Sequence, residues 1–218
     1  MKKEEKIKAI VLDVGGVLQL PRYSVFRITG GDTGVYEYIA KTLRIDMDSL
    51  FDTMDSAYAK SMEGELEDVV AVNLVAKNLG LVSRSLKKLF TKAYKRGFKR
   101  NNYLYKELKR LRKKGYIIAM LSDQWALSNE ILIPKKDRKN FDVLVISNEV
   151  GLRKPNIRVY RLLIRKLREK KKNIKHSEVL FIENRNWNLK PARKLKMKTI
   201  LFENNKQCIK EMEKLGVK

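Results

Sequence analysis

Five short runs of apolar and β-branched residues recur along the chain and constrain its fold more than any other feature. They are IKAIVLD (7–13), YIIAMLS (116–122), DVLVIS (142–147), EVLFIE (178–183) and KTILFE (198–203). Short apolar runs of this kind are typical of strands buried on both faces of a parallel sheet. Long amphipathic stretches separate most of them. The sequence therefore predicts an α/β fold, a Rossmann-like doubly wound parallel sheet with right-handed crossovers.

Helical patterns with recognisable ends supply the crossovers. Residues 103–115 repeat apolar side chains at helical spacing and stop at Gly115. Residues 155–172 begin with Pro155, which a helix accepts in its first turn. Both patterns predict helices that pack against the sheet.

One interval interrupts the alternation of strand and helix. Between about residues 20 and 100 we find helical patterns and no convincing strand: 34–45, 47–60, 65–80 and 83–97. We expect Asp32 or Thr33 to cap the first of these helices. An all-helical cap inserted after the first strand, covering a site as a lid, explains the interval. The predicted domains are a core (residues 1–19 and 101–218) and a cap (residues 20–100).

Basic residues are concentrated in the later part of the chain. The net charge is +24, from 49 Lys and Arg against 25 Asp and Glu. Residues 1–83 hold 10 basic and 13 acidic side chains, and residues 84–218 hold the remaining 39 and 12. Such asymmetry attracts nucleic acid or small phosphorylated substrates. A Lys-rich surface of the kind found in thermophilic proteins is the favoured explanation, since no nucleic-acid motif accompanies the charge.

Cysteine content and the N-terminus bear on the compartment. Cys208 is the single cysteine, so no disulfide can form within the chain, and a reducing cytoplasm is expected. The charged N-terminus is followed by too few apolar residues for a secretion signal or a membrane span. We therefore expect a soluble cytoplasmic protein with no membrane partner.

Polar side chains stand at or just after the ends of four predicted strands. The first strand ends on Asp13, the second on Ser122 and the fourth on Glu183, and Lys154 lies in the segment after the third. Ligands bind at the carboxyl ends of the strands in open parallel sheets. Each residue alone has a structural explanation as a cap or turn residue. Their recurrence at separate strand ends favours a shared site.

Four segments resemble the successive motifs of the haloacid dehalogenase-like (HAD) superfamily. In chain order they are IVLDVGGVL, AMLSDQ, ISNEVGLRKPNIRVY and VLFIENRNWNLKPARKLKMKTILF. The resemblance covers most of the chain outside residues 20–100. Those residues lie where family members with a helical cap have the cap inserted. The segment NLKPA is similar to one in the N-terminal phosphatase domain of soluble epoxide hydrolases. The resemblance implies a Mg²⁺-dependent phosphatase acting on a small phosphorylated metabolite.

The resemblance also implies residue roles. Asp13 would attack phosphorus and form an aspartyl-phosphate. Ser122 would donate a hydrogen bond to the phosphate, and Lys154 would hold Asp13 and neutralise the transferred group. Asp123 and Gly16 join Ser122 and Lys154 as substrate-binding residues. Mg²⁺ would be held by Asp13, the Gly15 carbonyl and Glu183, all of them oxygen ligands.

Two departures from the family pattern bear on activity. Gly15 stands where most family phosphatases have an aspartate that transfers the leaving-group proton, a form of help worth about 10²–10⁴-fold in rate. The fourth motif has Glu183 and Asn184 in place of two adjacent acids. Asp123, next to Ser122, is a candidate replacement for the missing acid, although a capping or turn role is commoner for such a residue. Activity is therefore expected to be slow, and metal binding weak.

Two alternatives stay open. One is a catalytically silent relative that binds a phosphorylated ligand, nucleic acid or protein. The other is a 2-haloacid dehalogenase, because a halide leaves without a proton, and Trp187 resembles a tryptophan of the dehalogenase motif. The acid at Glu183 favours the metal-dependent phosphatase over the dehalogenase.

Overall fold

The central sheet of the protein has five parallel strands. A computed structural model describes residues 6–22 and 34–218. Its strands are β1 (Ala9–Leu12), β2 (Gln19–Pro21), β3 (Phe98–Arg100), β4 (Ile117–Ser122), β5 (Val143–Ile146), β6 (Val179–Glu183) and β7 (Lys198–Leu201). The sheet order is β5-β4-β1-β6-β7, with every neighbouring pair parallel. The five predicted strands and the doubly wound α/β class are confirmed.

Alternate residues of the strands enter two separate hydrophobic cores. Ile10 and Leu12 of β1 pack into one core, and Ala9 and Val11 pack into the other. All four are fully buried. Covering both faces explains why the strand sequences are continuously apolar and do not alternate with polar residues.

Helices cover both faces of the sheet and form the cap. Four long helices follow β2: α1 (Val35–Leu43), α2 (Met47–Met62), α3 (Asp68–Asn78) and α4 (Ser83–Gly97). The remaining helices are α5 (Asn102–Lys113), α6 (Asn129–Leu132), α7 (Lys135–Arg138), α8 (Ser147–Val150), α9 (Ile157–Lys170), α10 (Asn186–Lys194) and α11 (Asn205–Lys214). Gly34 is the residue preceding α1. Asp32 and Thr33, predicted to cap this helix, lie outside the described residues.

A short antiparallel ribbon connects the cap helices to the core. Strands β2 and β3 pair through Gln19 with Arg100 and Pro21 with Phe98. The prediction that no strand lies between about residues 20 and 100 is therefore wrong at both ends of the interval. Strands of three residues, one of them containing proline, carry too little alternation to be recognised in sequence. Along the chain, helices α1 to α4 all lie between the two strands of the ribbon.

The cap packs against the core through the loop after β4. The Trp125 ring of that loop makes edge contacts with Tyr58 of α2 at 5.1 Å and Phe90 of α4 at 5.5 Å between ring centroids. The Ser61 hydroxyl of α2 accepts a hydrogen bond from the Ala126 amide at 2.9 Å. These contacts hold the underside of the cap over the carboxyl ends of the strands.

No single helix among the described residues is long and apolar enough to cross a bilayer. Helices α3 and α4, which are bent by 96° at their junction, meet the length and composition test only when taken together.

Candidate active site

A buried ion triad joins three of the predicted site residues. Lys154 Nζ lies 2.7 Å from Asp13 Oδ1 and 2.7 Å from Glu183 Oε2. Asp13 follows β1 and Glu183 ends β6, and these strands are neighbours in the sheet. Asp13 is 7% exposed, Lys154 5% and Glu183 0%. The fold therefore brings together residues that are up to 170 positions apart in sequence.

Protein donors occupy both oxygens of Glu183. Oε2 accepts from Lys154 Nζ and, at 3.0 Å, from Asn188 Nδ2. Oε1 accepts from the Arg185 backbone amide at 3.1 Å. Burial and the charge of Asp13 raise the pKa of Glu183 to about 7, against the opposing attraction of Lys154. Glu183, predicted as a metal ligand, is thus engaged in holding Lys154; its role as a ligand stays a prediction.

Lys154 is held as a cation from several sides. Burial alone would lower its pKa, but the negative charges of Asp13, Glu183 and Asp123 outweigh burial and raise it. The backbone amide of Lys154 also donates to Asp123 Oδ1 at 3.0 Å. A permanently charged ammonium fixes the Asp13 carboxylate and faces any anion placed beside it.

The turn after β1 requires glycine at position 16 but not at position 15. Gly16 has φ +83°, and a Cβ there would collide with the Asn184 side chain, so glycine is required on both grounds. A Cβ at Gly15 would meet no atom within 4 Å, and the Gly15 backbone lies outside the left-handed region. The absence of an acid at position 15 is therefore not imposed by space or by backbone geometry.

The Asn184 side chain lies against the Gly15 carbonyl. With its amide nitrogen turned inward, it donates to Gly15 O at 3.0 Å and to Glu183 Oε1 at 2.9 Å. In the opposite orientation the amide oxygen would face two other oxygens. That arrangement is unfavourable unless a cation lies between them.

Ser122 is placed by a chain of buried polar side chains. Ser128 Oγ donates to Gln124 Oε1 at 2.7 Å, and Gln124 Nε2 donates to Ser122 Oγ at 2.8 Å. Ser122 is 1% exposed. Because its oxygen already accepts from Gln124, the hydroxyl proton of Ser122 is left for another acceptor.

A cavity of about 330 Å³ lies between the cap and the carboxyl ends of the strands. Asp13, Gly15, Asp123 and Lys154 line its core side. Ser122, Gly16 and Glu183 are not among the described residues that line it. Its other lining residues include six aromatic side chains and two arginines: Tyr36, Tyr58, Tyr94, Phe98, Trp125, Trp187, Arg153 and Arg185. Burial raises the pKa of Asp123 in this setting, despite the attraction of Lys154.

Sequence reasoning missed the supporting residues of this site. Asn188 donates a hydrogen bond to Glu183, and Gln124 donates one to Ser122. The backbone carbonyl of Asn188 in turn accepts a hydrogen bond from the Tyr160 hydroxyl at 2.6 Å. Position offered a weak signal for Asn188 and Gln124, since each follows a strand end by a few residues. No sequence signal marked the tyrosines of the cap as cavity residues, because aromatic residues that face a cavity and those that face a core have the same helical spacing.

Comparisons with known proteins identify the family of this fold. A family model described as haloacid dehalogenase-like hydrolase matches residues 7–196. The chain belongs to the haloacid dehalogenase-like hydrolase family. Bifunctional epoxide hydrolase 2 of Mus musculus is 32% identical over 114 residues, which are 48% of this chain and 19% of that protein. The chain thus spans only a small part of the length of this relative.

Solved structures of HAD proteins share the fold. A predicted HAD-like hydrolase from Porphyromonas gingivalis has a TM-score of 0.73 at 17% identity, covering 97% of this chain and 98% of its own. A HAD family enzyme from Bacteroides thetaiotaomicron, in complex with magnesium and inorganic phosphate, has a TM-score of 0.68 at 18% identity, covering 90% and 94%. L-2-haloacid dehalogenase from Xanthobacter autotrophicus has a TM-score of 0.54 at 15% identity, covering 97% and 84%. These likenesses confirm the α/β core with a helical cap.

Proposed function

We propose that this HAD hydrolase is a phosphatase that acts on a small phosphorylated metabolite in the cytoplasm. The observation that carries the proposal is the Asp13 carboxylate at the cavity wall, held 2.7 Å from the buried ammonium of Lys154. A carboxylate so oriented is suited to nucleophilic attack, and the adjacent cation offsets the charge of an incoming phosphate. The HAD family enzyme that was solved with magnesium and inorganic phosphate supports the proposal, as does the resemblance of NLKPA to the phosphatase domain of soluble epoxide hydrolases.

The proposed reaction has two steps. A carboxylate oxygen of Asp13 bonds to phosphorus while the bond from phosphorus to the alcohol oxygen breaks, and the alcohol oxygen takes a proton. A water molecule then attacks phosphorus, which releases inorganic phosphate and regenerates Asp13. Ser122 and Lys154 hold the phosphoryl oxygens. Asp123, the one carboxylate besides Asp13 among the described residues lining the cavity, supplies the proton and later removes one from water.

The candidate metal ligands are of the type that Mg²⁺ prefers, but they carry little negative charge. Asp13, the Gly15 carbonyl and the Asn184 side-chain oxygen would hold the ion, and all are the oxygen donors that Mg²⁺ prefers. Among the described residues, no three His, Cys, Asp or Glu side chains cluster as a metal site. When bound, the ion would neutralise negative charge on the phosphate. The predicted ligand Glu183 is engaged by Lys154, so Asp13 is the charged side chain left for the ion, and we propose that binding is weak.

The test is hydrolysis of a panel of aryl, acyl and alkyl phosphates with and without Mg²⁺. We expect slow phosphate release that is fastest with aryl and acyl phosphates and is abolished by Asp13→Asn. Asp137→Asn, which removes a buried aspartate that pairs with Arg100 away from the cavity, is the matched control. Activity that survives Asp13→Asn would overturn the assignment. Binding of single-stranded nucleic acid with steep salt dependence and no hydrolysis would instead favour the silent relative.

A second candidate is hydrolysis of 2-haloacids. It is compatible with the Asn184 side chain, because one of the two amide orientations satisfies the polar groups around Gly15 without a cation. A halide also leaves without needing the acid that Gly15 lacks. Chloride release from 2-chloropropionate in the presence of EDTA would establish this activity, and the absence of release removes the candidate.

A further inference from the structure

Tyrosines from three different cap helices meet on one wall of the cavity. Tyr36 lies on α1, Tyr58 on α2 and Tyr94 on α4, and all three line the cavity. Tyr58 and Tyr94 both lie close enough to Tyr36 to raise the pKa of its phenol, in addition to the larger effect of burial. The Trp125 indole donates to the Tyr94 oxygen at 3.2 Å. Because these residues are distant in sequence, their convergence is a product of the folded cap.

These phenols are neutral near pH 7. Burial raises the pKa of Tyr36 and of Tyr94, and it raises the pKa of Tyr58 to about 12. A neutral phenol both donates and accepts hydrogen bonds, and it adds no negative charge that would repel a phosphate ester. Such a wall is complementary to a neutral partner that carries hydroxyl groups of its own.

The tyrosine wall and the reacting carboxylate belong to opposite sides of the same cavity. Asp13, Asp123 and Lys154 come from the core, and the tyrosines come from the cap. A phosphate ester with its phosphorus at Asp13 has only its alcohol part left to reach the cap. The tyrosine hydroxyls are therefore placed to contact the leaving group, not the phosphate.

We propose that Tyr36, Tyr58 and Tyr94 form a subsite for hydroxyl groups of the leaving group. The substrate is then a phosphate monoester of a compact, neutral, polyhydroxylated body, an assignment that rests on the proposed phosphatase function. A cavity of about 330 Å³ is at the small end of ligand pockets, which favours a single ring or short polyol. An apolar body of equal size would cover the hydroxyls without replacing their bonds to water, and this penalty produces discrimination.

The experiment compares two esters of similar size, glucose 6-phosphate and cyclohexylmethyl phosphate. Their dissociation constants are measured calorimetrically on the Asp13→Asn variant, in which the esters are expected to remain intact. We expect glucose 6-phosphate to bind at least about tenfold more tightly. Adding Tyr58→Phe should reduce this ratio about three- to tenfold by weakening glucose 6-phosphate alone. Tyr38→Phe is the matched control, because Tyr38 is also on α1 but faces Lys92 and Arg96 outside the cavity.

The outcomes separate the subsite from the reaction. Equal or tighter binding of cyclohexylmethyl phosphate overturns the subsite, as does a Tyr58→Phe effect of equal size on both esters. Tyr36→Phe gives an independent reading if Tyr58→Phe fails to fold. A preserved binding preference in a wild-type protein that hydrolyses neither ester with Mg²⁺ present supports the subsite and counts against the phosphatase. Hydrolysis of both esters with no preference in binding supports the phosphatase and overturns the subsite.

Discussion

Single residues at or after the carboxyl ends of β1, β4, β5 and β6 determine what the site can do. Asp13 and Lys154 form the pair that the family resemblance implies, and the backbone at position 16 requires glycine. Gly15 is different, because the space around it accepts a side chain. The catalytic weakness expected from Gly15 is therefore open to repair by a single substitution.

Gly15→Asp should raise activity on alkyl phosphates by about tenfold or more, because it adds a carboxyl proton donor at the position where most family phosphatases have one. The measurement is kcat/KM for an alkyl and a nitrophenyl phosphate. Gly15→Asn has nearly the same shape without an acidic proton and should give no increase. An equal gain from both variants would show that the acid is not the limiting feature.

Asp123→Asn tests the residue proposed to transfer the proton in the wild-type protein. We expect a loss of about 10²-fold or more on alkyl phosphates and little loss on nitrophenyl phosphate, whose leaving group needs no proton. Asp123→Glu should recover part of the alkyl activity. A similar loss with both substrates would point to a structural role through the Lys154 backbone amide.

Asn184→Asp should strengthen Mg²⁺ binding by about tenfold or more, since it adds a negative charge beside the Gly15 carbonyl. Calorimetric titration of each protein with MgCl₂ in the absence of substrate measures this directly. Asn186→Asp, a nearby change in the first turn of α10, controls for added charge. Unchanged affinity would exclude Asn184 from the metal site.

At the level of elements, the five strands of the central sheet were predictable because each is continuously apolar. The longer helices were predictable because each has apolar residues at helical spacing. The ribbon of β2 and β3 was not, since three residues have no usable period. At the end of β6 the family resemblance implied Glu183 as the metal ligand, with Asn184 standing where a second acid is usual. Neighbouring side chains there point in different directions, so which one meets Lys154 and which one meets Gly15 is decided by the turn and not by residue type.

The buried end of β6 should make stability depend on pH. Burial and the charge of Asp13 raise the pKa of Glu183 from 4.5 to about 7, so the folded state binds more protons between these values. Its contribution is therefore greatest below pH 4.5 and is lost as pH rises through 7, by up to about 3 kcal/mol.

Urea unfolding of the wild type and of Glu183→Gln at several pH values, in EDTA, measures this contribution. The difference in unfolding free energy between them should fall from pH 4.5 to 7. Glu65→Gln, at an exposed position before α3, should show no such trend. A flat difference for Glu183→Gln would show that the carboxylate is charged throughout.

For the whole molecule, the net charge of +24 predicts self-repulsion that salt screens. Raising NaCl from 0.05 to 0.5 M should increase the midpoint of thermal unfolding by a few degrees, about 1 kcal/mol in stability. Differential scanning calorimetry at constant pH is the measurement. A midpoint that falls with salt would mean that ion pairs outweigh the repulsion.

Gln19 and Arg100 lie opposite each other across two antiparallel strands, although four helices separate them along the chain. The polypeptide thus leaves this two-stranded ribbon and returns to it at adjacent points. A tight hairpin turn is long enough to bridge such a gap. The helical insertion is consequently exchangeable in principle: a different insertion grafted at this junction would present new walls to Asp13 while leaving the strand order intact.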